Sequence, residues 1–159
     1  MNRSQALLRS PLGNILLQGS EAGLERLDFI DDREVEVFNE EILSSHIIQL
    51  TEFFEGTRES FNLLLLPIGT HFQQNVWDML CKIPFANTWS YERLAISLGD
   101  IKTIRAAATA NGRNPLPIII PCHRVIGKSG ELSGYSGGVW RKRWLIEHEQ
   151  RNVQPKMEF

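Results

Sequence analysis

The sequence has little cysteine and lacks long hydrophobic runs. Only two cysteines, Cys81 and Cys122, occur among the 159 residues, too few for the disulfide framework of a small secreted fold. The apolar runs at 63–66 and 118–120 end at prolines and fall well short of the roughly 20 residues that a membrane helix needs. Residues 1–10 lack the apolar core of a secretory signal. We therefore exclude a membrane role and expect a protein of the reducing cytoplasm.

What remains is the composition of an ordinary globular protein. Hydrophobic residues make up 42% of the chain and charged residues 23%. A chain of this length buries roughly 70% of the surface that its unfolded form exposes, so it needs no disulfide or metal to hold a core. We see no internal repeat and no low-complexity tract.

Charge is distributed unequally between the two halves of the chain. Residues 1–69 carry 5 Lys and Arg against 12 Asp and Glu, whereas residues 70–159 carry 12 against 7. The formal charges are therefore −7 and +5. A basic half suits a protein that presents one face to a polyanion such as nucleic acid, although a solvated surface has the same charge pattern.

The first half is typical of a small antiparallel sheet with one covering helix. Short apolar segments at 6–9, 15–18 and 24–30 are separated by a Pro-Leu-Gly sequence and by a loop that closes at Gly23. Apolar residues then recur at spacings of 4, 3 and 4, which places them on one helical face ending at Gly56; they are Leu43, Ile47, Leu50 and Phe54. We predict an N-terminal α/β domain over residues 1–69.

The second half, residues 70–159, is predicted to be a mostly helical domain, so the fold class is α/β (α+β). One helix begins at Phe72 and ends at Pro84, and two short helices, from Ser90 to Leu98 and from Lys102 to Gly112, form a helix-turn-helix outline. Ordinary helix pairs share this outline. The run 118–120 is predicted to be a buried strand. A last helix carries Trp140 and Trp144, with the basic residues 141–143 expected on another side.

Cys122 is the residue best placed for chemistry, because His123 and Arg124 follow it directly. A free thiol is only about 3% ionised at neutral pH, so a reactive cysteine needs a base or a cation nearby. Glu149 and Glu147 are the candidates to orient the imidazole. A small buried cysteine is the alternative. A zinc site is disfavoured because Cys122-His123 has no second ligand pair at the usual spacing.

Several motifs together resemble those of one known protein family. The most specific is IIIPCHRVIG at 118–127, preceded by NGRNP at 111–115 and followed by GYSGG at 134–138 and RKRWLIEHE at 141–149. FQQNVW at 72–77 and SYERLA at 90–95 extend the resemblance upstream, and SPLGNILL and GLERLDF extend it loosely into the first 30 residues. In this combination the motifs resemble the O6-alkylguanine-DNA alkyltransferases, also called methylated-DNA protein-cysteine methyltransferases. The resemblance covers nearly the whole chain.

The resemblance implies DNA repair by direct reversal. Cys122 would take the alkyl group from O6-alkylguanine, and from O4-alkylthymine, in double-stranded DNA, and each molecule would act once because a thioether is a poor leaving group. No cofactor, metal or membrane is implied, and a monomer is expected. The implied catalytic residues are Cys122 as nucleophile, His123 as base, Glu149 as its orienting carboxylate, Asn114 under the site and Tyr91 as a proton donor.

The resemblance also implies residues that contact the substrate or DNA. Arg105 would fill the base stack after the target nucleotide turns out, and Ala106 would lie near the groove. Ser136 would donate to O6, and the carbonyl of Val125 would accept from the exocyclic amine. The remaining contacts are implied for Arg124, Tyr135 and Gly137.

The sequence also departs from the family pattern and leaves rivals open. Ala107 and Ala108 stand where Val and Gly are common, and Ala86 stands where Gly is frequent. Without the resemblance, Tyr91 and Asn114 would be interpreted as a helix-start aromatic and a turn former, and the alanine-rich helix as a packing face. A lesion-binding module without transfer activity and a Cys-His hydrolase are the alternative functions.

Overall fold

The structure is a computed structural model that describes residues 2–153. Its strands are β1 (Arg3–Ser10), β2 (Gly13–Ser20), β3 (Gly23–Phe29), β4 (Trp89–Ser90) and β5 (Val125–Ile126). Its α-helices are α1 (Ser44–Glu55), α2 (His71–Leu80), α3 (Tyr91–Ser97), α4 (Ile104–Gly112) and α5 (Val139–Asn152). The predicted α+β class, with the antiparallel sheet first and a helical region after it, is confirmed.

The N-terminal part is a three-stranded antiparallel meander in the order β1-β2-β3. Gly13 adopts a φ of 94° in the first hairpin turn, a conformation that glycine reaches without steric cost. α1 ends at Gly56, whose φ of 84° and backbone N–H bonds to Glu52 and Phe53 form a left-handed cap. The strands and the helix predicted for this part are therefore confirmed.

Side-chain caps define the helices of the second part. Thr70 and Gln73 form a reciprocal capping box at the start of α2, and the Ser90 hydroxyl accepts from the backbone N–H of Arg93 at the start of α3. α3 and α4 are separated by Gly99 and a 3₁₀ turn, Ile101–Thr103. The predicted helix-turn-helix outline is present in this geometry.

Residues 118–120 are not a strand, which corrects the prediction. The segment forms consecutive turns in which Ile118 has a φ of 78° and the Ile120 N–H donates to the Leu116 carbonyl at 2.9 Å. Pro117 and Pro121 lack the N–H groups that a strand ladder needs. The three isoleucines are buried. The apolar run therefore indicated burial and not secondary structure.

The two parts of the chain pack onto one hydrophobic core. The Leu27 N–H donates to the Pro115 carbonyl at 2.9 Å, and His148 Nε2 donates to the Phe53 carbonyl at 2.7 Å. Arg141, expected to point away from the core, is buried and donates to the Leu12 carbonyl at 2.9 Å. These bonds position α5 against the sheet. No helix within residues 2–153 is both long and apolar enough to cross a membrane.

Ala86 is held in a left-handed conformation with a φ of 66°, and its N–H donates to Glu149 Oε1 at 3.1 Å. Glycine adopts this conformation without strain. We expect Ala86→Gly to raise the free energy of unfolding by about 1 kcal/mol, because the relief of strain exceeds the entropy added to the unfolded chain. The midpoint of thermal unfolding should rise by about 2–4 °C. Ala108→Gly, in α4, should lower stability, and equal effects of both variants would contradict the strain argument.

Candidate active site

The Cys122 thiol is buried at the start of a 3₁₀ turn, Cys122–Arg124, and the residue is only 4% exposed. Burial raises the pKa of this thiol to about 11, although Asn114 and the Lys142 ammonium act in the opposite direction. Forming the thiolate at pH 7 therefore costs about 5 kcal/mol. The resting group is a thiol, and its reaction needs a base.

His123 and Glu149, the residues predicted to supply such a base and its orienting carboxylate, form a fully buried pair. The predicted partners are brought together by the turn and by α5: His123 Nε2 donates to Glu149 Oε2 at 2.6 Å. Glu147 is exposed. Burial lowers the pKa of His123 despite the raising effect of Glu149. Because the Glu149 carboxylate can only accept a hydrogen bond, Nε2 carries the ring proton. The buried Nδ1 has no partner within the described chain and is free to accept a proton.

The Glu149 carboxylate accepts from more than the imidazole. Arg124 Nε and Nη2 donate to it at 2.9 and 3.0 Å, and the Ala86 N–H donates at 3.1 Å. Burial favours the protonated form, but His123 and Arg124 outweigh it and lower the pKa of Glu149 to about 2. The carboxylate is therefore ionised and fixed in orientation at neutral pH.

Asn114 ties the turns that carry the cysteine. Its Nδ2 donates to the Ile120 carbonyl at 2.7 Å, and its Oδ1 accepts from the Leu116 N–H at 2.9 Å. Both ends of one buried amide are thus used to hold residues 114–120 in place. Asn111 reaches the Cys122 carbonyl from α4 at 3.5 Å. Asn114, which the resemblance places under the site, therefore bonds to the segment that leads into Cys122.

Tyr91 lies at the edge of the site, bonded to the loop after β5. Its hydroxyl donates to the Ser133 carbonyl at 3.2 Å and lies 3.5 Å from Lys142 Nζ. Lys142 also donates to the Ser133 carbonyl at 2.7 Å. Burial raises the pKa of Tyr91, so its hydroxyl keeps its proton at neutral pH.

Lys142 is the residue that sequence reasoning missed. It is fully buried, and desolvation lowers its pKa to about 8 despite the attraction of the Cys122 group. The sequence held one usable signal, since Lys142 and Glu149 are seven residues apart and so lie on one face of α5. Its ammonium provides a positive charge that favours the Cys122 thiolate.

The glycine-rich segment 134–138, predicted to contact the substrate, packs partly against the core. Gly137 leaves no room for a side chain, since a Cβ there would lie 2.8 Å from the Phe29 ring. The Tyr135 side chain is buried, and its hydroxyl has no partner within residues 2–153. Ser136 is exposed and lines a cavity of about 380 Å³ together with Asn114. Val125 is buried in β5, paired with β4.

Arg105 and Ala106 lie on the exposed side of α4, whereas Ala107 and Ala110 pack into the core. The small side chains of α4 therefore serve both a packing face and an open face. Since Ala107 is fully buried, its methyl group is not available to contact a ligand at the surface of α4.

Arg124 was predicted to contact DNA, but its guanidinium is bound within the protein. Besides the two bonds to Glu149, its Nη1 donates to the Ile83 carbonyl at 2.8 Å, and the residue is only 7% exposed. A buried guanidinium held in this way does not reach a phosphate.

Metal binding is the other common use of cysteine and histidine. Across residues 2–153, no group of three or more His, Cys, Asp or Glu side chains is arranged to hold a metal ion. His46 and His148 donate to backbone carbonyls at 2.9 and 2.7 Å. These two histidines therefore contribute to packing and backbone bonding.

Comparisons with known proteins agree over nearly the whole chain. Residues 5–68 match the family described as 6-O-methylguanine DNA methyltransferase, ribonuclease-like domain, and residues 71–151 match its DNA binding domain. A methylated-DNA--protein-cysteine methyltransferase of Methanosarcina barkeri is 43% identical over 154 residues, which cover 93% of this chain and 98% of that protein. The constitutive enzyme of Bacillus subtilis is 40% identical, covering 92% and 95%.

Solved structures give the same result. The crystal structure of Mycobacterium tuberculosis O6-methylguanine methyltransferase has a TM-score of 0.88 at 36% identity, covering 98% of this chain and 97% of that one. The Mycobacterium tuberculosis protein solved in complex with DNA has a TM-score of 0.85 at 40% identity, covering 92% of each chain.

The DNA binding domain matched over residues 71–151, together with the named relatives, defines a DNA-binding methyltransferase whose acceptor is a protein cysteine. The chain belongs to the 6-O-methylguanine DNA methyltransferase family.

Proposed function

We propose that this protein repairs DNA by direct reversal, with Cys122 as the irreversible acceptor of the alkyl group of O6-alkylguanine and also of O4-alkylthymine. One observation carries the proposal: the buried Cys122 is followed directly in the chain by His123, whose Nε2 is bound to Glu149 at 2.6 Å and whose Nδ1 has no partner among the described residues. The names of the relatives support the same reaction.

The chemical step is an in-line displacement. A bond forms between Cys122 Sγ and the alkyl carbon while the bond from that carbon to guanine O6 breaks. The thiol proton passes to His123 Nδ1, directly or through a water, and the leaving guanine takes a proton from a donor for which Tyr91 is proposed. The products are unmodified guanine and a thioether on Cys122. Since a thioether is a poor leaving group, one molecule repairs one lesion.

The approach of sulfur to the alkyl carbon requires a target base outside the stack. We assign Arg105, exposed on α4, to the space that the base leaves, with Ala106 next to the groove. Ser136 is assigned to O6, and the carbonyls of Cys122 and Val125 to the exocyclic amine. Tyr135 and Gly137, which flank Ser136 in the chain, are assigned to the wall of the base pocket.

We also propose a two-domain organisation over 1–69 and 70–159, supported by family matches that end at 68 and resume at 71. The protein is proposed to act as a monomer in the cytoplasm. Its two cysteines are both free, as suits a reducing compartment.

Mass spectrometry after incubation with an oligonucleotide bearing one O6-methylguanine tests the function. We expect the peptide containing Cys122 to gain one methyl group, and the amount of modified peptide to equal the amount of lesion repaired. The peptide containing Cys81 should stay unmodified. Repair of many lesions by one protein molecule would contradict the proposal.

A further inference from the structure

Arg124 has an unusual environment for a residue expected to bind DNA. Its guanidinium is buried, grips both Glu149 oxygens at 2.9 and 3.0 Å, and is anchored to the Ile83 carbonyl at 2.8 Å. The Phe85 ring lies 5.7 Å from the guanidinium carbon and covers one face of it. Arg124 is therefore fixed by contacts from two sides, and the group that it holds is the partner of His123.

The bidentate bond from Arg124 to both Glu149 oxygens fixes the orientation of the carboxylate as well as its position. An arginine fork bound to both oxygens sets the plane of the carboxylate, which a single hydrogen bond does not do. The oxygen that receives Arg124 Nη2 is Oε2, the same atom that receives His123 Nε2 at 2.6 Å. The orientation of the imidazole, and hence the direction of Nδ1, depends on this plane.

Charge works together with the geometry. The charged groups that act on His123 are Glu149 and Lys142 from α5 and Arg124 from its own turn. Glu149 raises the pKa of His123, and both cations lower it, in the same direction as burial. A cation on the carboxylate weakens its pull on the imidazole proton. The imidazole therefore stays neutral, as a base must be before it accepts a proton.

We infer that Arg124 is a positioning residue, which holds the Glu149 carboxylate so that His123 is neutral and its Nδ1 is available to the Cys122 thiol. The role of the imidazole as base rests on the proposed function. The placement of Arg124, by contrast, can be measured on the protein without DNA.

The test compares Arg124→Lys and Arg124→Met with the wild-type protein and with Arg26→Lys, an exposed arginine paired with Asp28 at the sheet. The ¹⁵N shifts of the His123 ring are followed against pH by NMR. In Arg124→Met we expect the imidazole to titrate about one pH unit or more above the wild type. In Arg124→Lys the titration should stay within about half a unit of wild type, because the charge remains.

Single-turnover methyl transfer from the oligonucleotide separates charge from geometry. Methyl transfer by Arg124→Lys should be slower than that of the wild type by about tenfold or more at neutral pH, because lysine lacks the planar fork that binds both carboxylate oxygens. Its affinity for DNA should equal that of the wild type. The lysine variant keeps the charge and similar bulk, so it reports on the proposal even where the methionine variant does not fold.

Two results would overturn the inference: His123 titration at the wild-type pH in both variants, or methyl transfer by Arg124→Lys at the wild-type rate. A loss of DNA affinity with a smaller salt dependence would instead assign Arg124 to a phosphate. Failure of the proposed function would be distinct, since wild-type Cys122 would then stay unmodified whatever the histidine spectra show.

Discussion

Replacing Cys122 with serine should abolish methyl transfer while leaving the protein folded and able to bind DNA. The rate of repair should fall by at least about 10³-fold, since an alcohol is a far weaker acid and nucleophile than a thiol. The side chains are close in size, and Cys122 is only 4% exposed, so little of the DNA-facing surface changes. Single-turnover loss of O6-methylguanine from an oligonucleotide measures the effect, with binding measured in parallel.

Cys81→Ser is the matched control for this experiment. Cys81 is an exposed residue at the end of α2, and partial desolvation of its thiol, followed by the charge of Asp78, raises the pKa of that thiol. The buried His123-Glu149 pair follows Cys122 in the chain and not Cys81, so we expect Cys81 to lack a base. We expect this variant to repair at the wild-type rate. Repair by Cys122→Ser at a comparable rate would remove the cysteine from the mechanism and would favour hydrolysis. Binding without modification of wild-type Cys122 would favour a lesion-binding module.

Glu149→Gln should lower the rate of transfer by between about 10²- and 10⁴-fold. A glutamine can present its amide nitrogen to His123 Nε2, which favours the tautomer with the proton on Nδ1. That proton then occupies the position from which the base must act on Cys122. Transfer measured across pH, with the ring tautomer read by ¹⁵N NMR, should show the loss of rate and the tautomer change together. A slow variant with the wild-type tautomer would contradict this explanation.

The same substitution should destabilise the fold in a pH-dependent manner. The pKa of Glu149 is lowered from 4.5 to about 2 in the folded protein, so the ionised carboxylate contributes stability that is present above pH 4.5. This shift corresponds to about 3 kcal/mol, lost as the pH falls towards 2. Urea unfolding should therefore show a large difference between wild type and Glu149→Gln at pH 7 and a smaller one at pH 3. An equal difference in unfolding free energy at both pH values would show that the substitution destabilises the fold through altered packing and not through loss of the charge.

Local signals were enough to predict most of the secondary structure. The sequence places the end of one helix at Gly56 and the start of another at Ser90, and both residues cap those helices in the structure. The run 118–120 was assigned wrongly, because three adjacent isoleucines indicate burial in a strand and in a buried turn alike. The prolines on either side were the signal against a strand.

The sequence predicted the histidine and the carboxylate of the candidate site but not the places of its two buried cations. The pairing of His123 with Glu149 followed from the resemblance and is present at 2.6 Å. Lys142 and Arg124 were misjudged because exposed helix faces and basic runs are the usual places for cations. Their burial depends on carbonyls at Ser133 and Ile83, which sequence reasoning had no means to place beside them.

The sequence by itself determined the family, the order of the N-terminal strands and of the helices, and the cysteine proposed as nucleophile, because caps, periodicity and the Pro-Cys-His-Arg motif are local properties of the chain. Only the tertiary structure decided which groups carry protons. The pKa of Cys122 rises to about 11 and that of Glu149 falls to about 2 because of burial and of charges brought within a few ångströms by the fold. The partners lie on different elements, and the field between them exists only once those elements pack.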